Sequence, residues 1–168
     1  MTCLSASGQT GDSLLAIPVL LSEDIRPTGI GVEELQLFSD PTDKYSWQDL
    51  LLKPWEQQLL LSPQKGTGWL RLVLSNTSSE THDVMIDVGW HPRLDVYQIR
   101  KGILLRHEQL GTEQGYPAGK ALGERNRFRI SLAAHTQDSL LLSVAPWPQD
   151  NFSTGLYLLS VEEAVRES

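Results

Sequence analysis

An alternating run in the middle of the chain sets aromatic and basic side chains against aliphatic ones. In the segment 69–75, leucines occupy positions 70, 72 and 74, and the alternate positions hold Trp69, Arg71, Val73 and Ser75. Because successive side chains of a strand point to opposite faces, Trp69 and Arg71 share the face opposite the leucines. A flat indole can stack on the C–H face of a sugar, and a guanidinium donates planar hydrogen bonds to hydroxyls or carboxylates. The pattern indicates a ligand-binding surface for a carbohydrate or another small molecule.

The same residues have a second interpretation, in which another element covers this face. Large aromatic side chains are mostly buried in globular proteins, and the segment after Ser46 or the N-terminal arm could cover the sheet. Trp69 then belongs to a core, and Arg71 pairs with a carboxylate such as Asp95. Replacing Trp69 with alanine separates the two interpretations, since only a core tryptophan is needed for folding.

Further aromatic and basic residues could extend a ligand surface. Tyr97, Arg125 and Arg127 lie in or beside other candidate strands, and Trp90 lies in a loop before a proline. Loops at the rim of a β-sandwich often carry binding residues. Trp147, between two prolines, belongs to the same group. Plugging the end of a sandwich is an equally good role for these loop tryptophans.

Two aspartates, Asp40 and Asp43, suggest a calcium site in the loop that follows the segment 35–38. Calcium takes about 6–8 oxygen ligands, so two carboxylates are too few to specify it. A turn-forming role for Asp40 before Pro41 competes with this prediction. Calcium is therefore the one cofactor that the sequence leaves open.

Motifs for catalysis are missing from the sequence. It has no nucleophile elbow, P-loop or dinucleotide fingerprint, and its four histidines lack the spacing of a metal-binding helix. We therefore predict that this chain is not an enzyme.

The net charge of −7, from 14 basic and 21 acidic residues, argues against nucleic acid or an anionic membrane as the main partner. The single cysteine, Cys3, excludes an intrachain disulfide.

The elements that position these residues are mostly strands. Period-two patterns separated by turn signals predict strands at 35–38, 69–75, 83–88, 94–99, 103–109, 128–132, 140–144 and 156–159. Such spacing without interleaved helices is typical of an all-β, antiparallel sandwich.

A short helix is marked by a capping box at Ser46 and Asp49, runs for about two turns and ends near Pro54. A similar pattern predicts a second helix from Ser160. The segment 14–21 predicts an edge strand or arm, and 24–34 a turn-rich link. We expect a disordered tail or signal-peptide remnant at 1–13 and a single sandwich domain at 14–168. No stretch of the sequence is long and apolar enough to span a membrane.

The order of several pieces resembles a known family, the extracytoplasmic domain (type two) of seven-transmembrane receptors with diverse intracellular signalling modules. Hybrid sensor histidine kinases of the RetS and LadS kind carry such a domain. The most specific piece is the strand with Trp69, Arg71 and Asn76. The others are the segments 37–41, 45–50, 94–97, 125–130 and 156–165, together with Gly111. The resemblance covers about residues 30–165.

The resemblance implies a jelly-roll β-sandwich like that of carbohydrate-binding modules, with Asn76 among its ligand residues. It implies a periplasmic sensor domain ahead of a membrane segment, with a histidine kinase of a two-component system or a diguanylate cyclase as the output. Relatives usually have an aromatic residue where this chain has Gly68, and another where it has the leucines 140–142, so the ligand class can differ here.

Two other classes of function stay open. One is a carbohydrate-binding module attached to an enzyme, and the other is a dimerisation or interaction domain whose partner is a second copy or another sensor. Binding in a sensor must shift an equilibrium between signalling states, which requires a different affinity for each state.

Overall fold

A computed structural model of the chain describes residues 18–21, 28–30, 34–55, 66–89, 93–111, 126–145 and 156–162. These residues form ten strands and one short helix. The elements in chain order are β1 (Val19–Leu21), β2 (Thr28–Ile30), β3 (Leu35–Asp40), α1 (Trp47–Leu50), β4 (Thr67–Asn76), β5 (His82–Asp87), β6 (Leu94–Arg100), β7 (Ile103–Leu110), β8 (Arg127–Leu132), β9 (Gln137–Val144) and β10 (Leu156–Ser160).

The strands form two sheets. Sheet A has the order β1-β4-β9-β6-β7, with β3 also paired to β4, and sheet B has the order β2-β10-β5-β8. All pairs are antiparallel except that of β1 with the last residues of β4, which is parallel. The predicted β-sandwich is confirmed, and the jelly-roll connectivity stays a prediction.

One hydrophobic core joins the two sheets and consists almost entirely of aliphatic side chains. The leucines of β4 at positions 70, 72 and 74 are fully buried in it and pack with residues of sheet B such as Ile86 and Ile130. Among the described residues of this core, Phe128 is the only aromatic one. The core therefore follows from the strand alternation that the sequence shows.

Two short strands flank this framework. β1 lies at an edge of sheet A, which confirms an edge strand for the last three residues of the predicted segment 14–21; residues 14–17 lie outside the described residues. β2 was not expected, because Pro27, Gly29 and Gly31 favour turns. Its residues become a strand by pairing with β10, an interaction that local sequence does not encode.

The capping box of α1 is confirmed. The side chain of Ser46 accepts a hydrogen bond from the backbone N–H of Asp49, whose carboxylate accepts from the Ser46 N–H at 2.9 Å. The helix has four residues, so the expected length of two turns is wrong. Its last turn tightens into i to i+3 hydrogen bonds, such as that from the Lys53 N–H to the Leu50 carbonyl, just before Pro54. After β10, Val161 and Glu162 are helical, and the rest of the predicted second helix lies outside the described residues.

Candidate functional site

A second hydrophobic cluster covers the outer face of sheet A. We call it the outer cluster. Its buried members are Leu50, Trp55, Trp69, Ile99 and Leu141, and the partly buried side chains packed against them are Phe38, Tyr45, Trp47, Tyr97 and Leu104. Because α1 and the turn after it contribute Trp47, Leu50 and Trp55, the segment after Ser46 covers this face, as the second interpretation of the sequence proposed.

Trp69 lies in the outer cluster and is only 4% exposed. Its ring is tilted against Tyr97, with 5.8 Å between the ring centroids. The indole Nε1 has no hydrogen-bond acceptor among the described residues. A buried donor left unpaired costs about 1–3 kcal/mol, so Trp69 occupies this position at an energetic cost.

Tyr97 connects the rings of this face. It stacks on His107 at 4.4 Å between centroids, and it lies 6.4 Å from Trp47 with the planes 29° apart. Burial raises the pKa of Tyr97 above its ordinary value, and the negative charge of Asp95 adds to the shift. The phenol therefore stays protonated at neutral pH and can donate a hydrogen bond.

The loop after β3 places carboxylates beside these rings. The carboxylate of Asp40 accepts hydrogen bonds from the Tyr45 N–H at 2.9 Å and from the N–H and hydroxyl of Thr42 at 3.3 Å. Burial by itself raises the pKa of Asp40, but these donors, together with the N–H of Lys44, outweigh it and lower the pKa below its usual value. Asp40 therefore stays ionised and organises the loop.

Two further contacts hold the same loop against β4. Asp43 accepts a hydrogen bond from the Thr67 hydroxyl at 2.6 Å. Gly66 has φ of +77°, and a Cβ there would lie 2.5 Å from the carbonyl oxygen of Asp40. Only glycine allows this close approach of the two backbones.

Asp95 is the third carboxylate on this side of the sheet. His107 Nε2 lies 2.9 Å from it and Arg93 Nε lies 3.8 Å from it. Among the described residues these are its polar contacts, so Asp95 is not the carboxylate that the second interpretation expected beside Arg71. Register explains the difference, because Asp95 aligns with Ser143 of β9, whereas Arg71 aligns with the next outward residue, Leu141.

Together these residues line a pocket of about 310 Å³, which we call the acidic aromatic pocket. Its rings are those of Tyr45, Trp47, Trp69 and Tyr97, and its carboxylates those of Asp40, Asp43 and Asp95. Hydroxyls of Ser46, Thr67 and Ser143 and the guanidinium of Arg93 complete the polar lining. Flat rings beside oxygen acceptors suit a ligand that has C–H faces and many hydroxyls.

Two of the predicted ligand residues, Trp69 and Tyr97, meet in this pocket, and so do the two predicted calcium ligands, Asp40 and Asp43. Arg71 lies further along β4 and lines a different cavity. Calcium binding stays a prediction. The part of the chain that the structure describes holds no group of three His, Cys, Asp or Glu side chains arranged for a metal ion.

The other predicted ligand residues lie elsewhere. Asn76 is 1% exposed, and its amide donates to three backbone carbonyls, those of Glu80, Leu132 and Ala133. Its oxygen accepts from Ser78, so the side chain holds a turn in place. Arg127 belongs to sheet B and donates to Asp87 at 3.1 Å. Trp90 and Arg125 lie outside the described residues.

Sequence reasoning did not assign Tyr45, Trp47, Arg93 or Asp95 to a ligand site. The available signal was the capping box, because it places Trp47 at the first helical position, directly beside the loop of Asp40. Asp95 and Tyr97 occupy alternate positions of β6 and therefore share a face. Nothing local indicates that β6 and β4 lie on either side of β9.

Comparisons with known proteins identify the domain type. The model of the family described as 7TMR-DISM extracellular 2 matches residues 33–154. A search of curated proteins finds no match. Among solved structures, a putative β-galactosidase from Bacteroides fragilis is similar at 14% identity and a TM-score of 0.42. The alignment covers 79% of this chain and 23% of that one, so the chain spans about a quarter of the neighbour's length.

Within the described residues, no helix has the length and apolar character needed to cross a membrane.

Proposed function

Because the chain belongs to the family of 7TMR-DISM extracellular 2 domains, we propose that its acidic aromatic pocket recognises a sugar on behalf of a membrane receptor. The family match confirms the resemblance seen in the sequence. It makes the chain an extracytoplasmic, periplasmic sensor domain of a membrane receptor. Membership also favours a receptor over a module attached to an enzyme.

One observation carries the ligand class. The indole Nε1 of Trp69 is buried and lacks an acceptor among the described residues, and Trp69 lines a pocket with three other rings and three carboxylates. Because this N–H is covered in the unliganded chain, the ring must shift slightly on binding; a sugar hydroxyl would then supply the missing acceptor, while its other hydroxyls donate to the carboxylates. The volume of about 310 Å³ lies at the lower end of ligand pockets, which suits one sugar unit.

Sugar binding can change the position of α1 relative to sheet A. Tyr45, Ser46 and Trp47 line the pocket on one side, while Asp95 and Tyr97 of β6 line it on the other. A ligand that contacts both sides favours the arrangement in which they are closest. If the receptor's signalling states differ in that arrangement, the ligand shifts their populations by its difference in affinity. A histidine kinase or a diguanylate cyclase would read out that shift.

The site binds rather than catalyses in this proposal. Hydrogen bonds hold the pKa of Asp40 below its usual value, so its carboxyl does not serve as a general acid at neutral pH. Asp43 and Asp95 each have a hydrogen-bonding partner, in Thr67 and His107. These carboxylates are arranged as hydrogen-bond acceptors for a ligand.

Two conservative tryptophan variants test the proposal. A glycan array selects the best sugar for the 168-residue chain, and isothermal titration calorimetry measures its affinity. Trp69→Phe keeps a ring but removes the unpaired N–H, so we expect sugar affinity to fall about two- to tenfold while the variant stays folded. Trp69→Ala is less informative, because it empties a buried position.

Trp55→Phe is the matched control. The Nε1 of Trp55 donates to the Leu50 carbonyl at 3.1 Å, and Trp55 does not line the pocket. We expect this variant to lose stability and keep its sugar affinity. The proposal fails if no sugar binds, or if Trp69→Phe binds as tightly as the wild type. Self-association without sugar binding would favour the interaction-domain alternative.

A further inference from the structure

A second cavity opens on the outer face of sheet A, toward the turns that end β6 and begin β9. We call this volume of about 640 Å³ the cationic cavity. Its lining includes Arg71, Arg100, Lys101 and His135, with Leu51 and Ile99 as its apolar part. None of the described residues that line it is acidic. In a chain of net charge −7, such a concentration of basic groups is a local exception.

Arg71 is the central group of this cavity. It is partly buried, and its guanidinium carbon lies 6.0 Å from the centre of the Trp55 ring. No hydrogen bond or ion pair to another described residue satisfies its donors. Burial lowers the pKa of Arg71, although an arginine remains charged at neutral pH. The result is a partly desolvated cation whose donors are free of protein partners among the described residues and line a cavity.

Arg100 and Asp138 give the cavity a rigid wall. Arg100 donates to the two carboxylate oxygens of Asp138 at 2.6 and 3.0 Å, and Gln98 donates to the same carboxylate at 2.6 Å. Asp138 is fully buried and does not line the cavity. Because Asp138 neutralises Arg100, the uncompensated positive charges of the cavity are those of Arg71 and Lys101.

Two tight turns place the remaining donors at the mouth. Lys101 and Gly102 have φ of 50° and 78° in the turn between β6 and β7, and His135 has φ of 52° in the turn before β9. The backbone N–H of His135 donates to the Ser78 carbonyl at 3.2 Å, which fixes that turn. Non-glycine residues rarely adopt positive φ, so the backbone of these turns has an uncommon conformation, and it places Lys101 and His135 beside the cavity.

We propose that the cationic cavity binds the anionic group, a carboxylate or a phosphate, of a small soluble molecule. The fork of Arg71 matches the two oxygens of such a group, and Lys101 adds a second charge. Leu51 and Ile99 contact the hydrocarbon part of the same molecule. The cationic cavity shares no lining residue with the acidic aromatic pocket. Anion binding is therefore tested independently of sugar binding.

Calorimetry with three probes tests the site on the 168-residue chain. The probes are inorganic phosphate, hexanoate and its uncharged isostere hexanamide. We expect phosphate or hexanoate to bind and hexanamide not to bind, and the preferred anion identifies the group. Failure of both anions to bind would overturn the proposal, and so would binding of hexanamide as tight as that of hexanoate.

Variants locate the binding. Arg71→Gln should weaken the anion about tenfold or more, because a charge-assisted hydrogen bond inside a cavity is lost. Lys101→Gln, at an exposed turn, should weaken anion binding less and leave the fold intact.

Arg129→Gln is the matched control, since it removes the same charge from an exposed residue of sheet B that pairs with Asp83. Equal losses in Arg129→Gln and Arg71→Gln would refute a defined site, and so would unchanged affinity in both Arg71→Gln and Lys101→Gln. Trp69→Phe should keep anion binding, which separates this site from the sugar pocket.

Discussion

The two faces of sheet A are built by the same strands and have opposite characters. On the inner face, Leu70, Leu72 and Leu74 of β4 are completely buried in an aliphatic core. On the outer face, Trp69 and Arg71 of the same strand belong to an aromatic cluster and a cationic cavity. Alternate residues of one strand therefore have two different surroundings, an aliphatic core inside and, outside, the two openings for which we propose ligands.

The difference arises from what covers each face. The inner face meets a whole sheet, which leaves room only for polar groups that find partners there, such as Gln98 and Asp138. The outer face is covered partly by α1, a helix of four residues, and by the turn that follows it. Among the described residues this cover is shorter than the sheet, and at the openings beside it polar side chains meet buried rings.

The two openings differ in charge. The acidic aromatic pocket lies beside the N-terminal end of β4, with three carboxylates and one arginine. The cationic cavity lies further along β4 and has no carboxylate among its described lining residues. In our two proposals the first opening takes a neutral polyol and the second takes an anion, and Leu141 lies between the two openings in register.

The largest effect is expected on the inner face. Leu72→Ala removes a side chain with no exposed surface from the aliphatic core, which should lower the free energy of unfolding by about 2–5 kcal/mol. Urea denaturation measures this loss, and calorimetry on the folded variant should show unchanged ligand affinity. Leu52→Ala is the control, because Leu52 is 90% exposed and should change stability little. Loss of ligand affinity in folded Leu72→Ala would break the division between the two faces.

A smaller loss of stability is expected at the edge of the outer face, where Asp40 holds the loop that lines the acidic aromatic pocket. Asp40→Asn should cost about 1.5–3 kcal/mol at pH 7, because charge-assisted hydrogen bonds are weakened. The pKa of Asp40 is lower in the folded chain, so the ionised group stabilises the fold above about pH 4. That contribution is lost as the pH falls through the folded pKa.

Asparagine does not titrate, so the gap between Asp40→Asn and wild type should narrow at acid pH. Urea midpoints at pH 7 and pH 3 measure the gap. A gap of constant size would contradict the ionised role of Asp40. Since the loop lines the acidic aromatic pocket, Asp40→Asn should also weaken sugar binding. It should leave anion binding in the cationic cavity unchanged.

The inner face could be predicted from the sequence because its signal is local. A period of two in 69–75, 83–88 and 94–99 specifies both the strand and the face that is buried. β2 escaped prediction because three residues with a central glycine have no period, and their strand exists only through pairing with β10. The shortness of α1 also escaped, because the capping box marks where a helix begins and not how its last turn closes.

The candidate site was predicted only in part, for a related reason. Alternation correctly put Trp69 and Arg71 on one face, but the partners of each depend on strands that are distant in sequence. Trp69 meets Tyr97 across β9, and Arg71 is left without Asp95 because the register shifts that carboxylate by one outward position. Asn76 looked available for a ligand, yet backbone carbonyls of two turns occupy its amide.

The smallest loss of stability is expected at the N-terminus of α1, the helix that covers part of the outer face. Ser46→Ala removes the N-cap of α1 and should cost about 1 kcal/mol, because the backbone N–H of Asp49 loses its acceptor. Trp47, the next residue, lines the acidic aromatic pocket, so sugar affinity should weaken while anion affinity in the cationic cavity persists. Ser79→Ala, at an exposed turn, is the matched control for both measurements. If Ser46→Ala weakens both ligands equally, the two openings are coupled through α1 and the outer face acts as one unit.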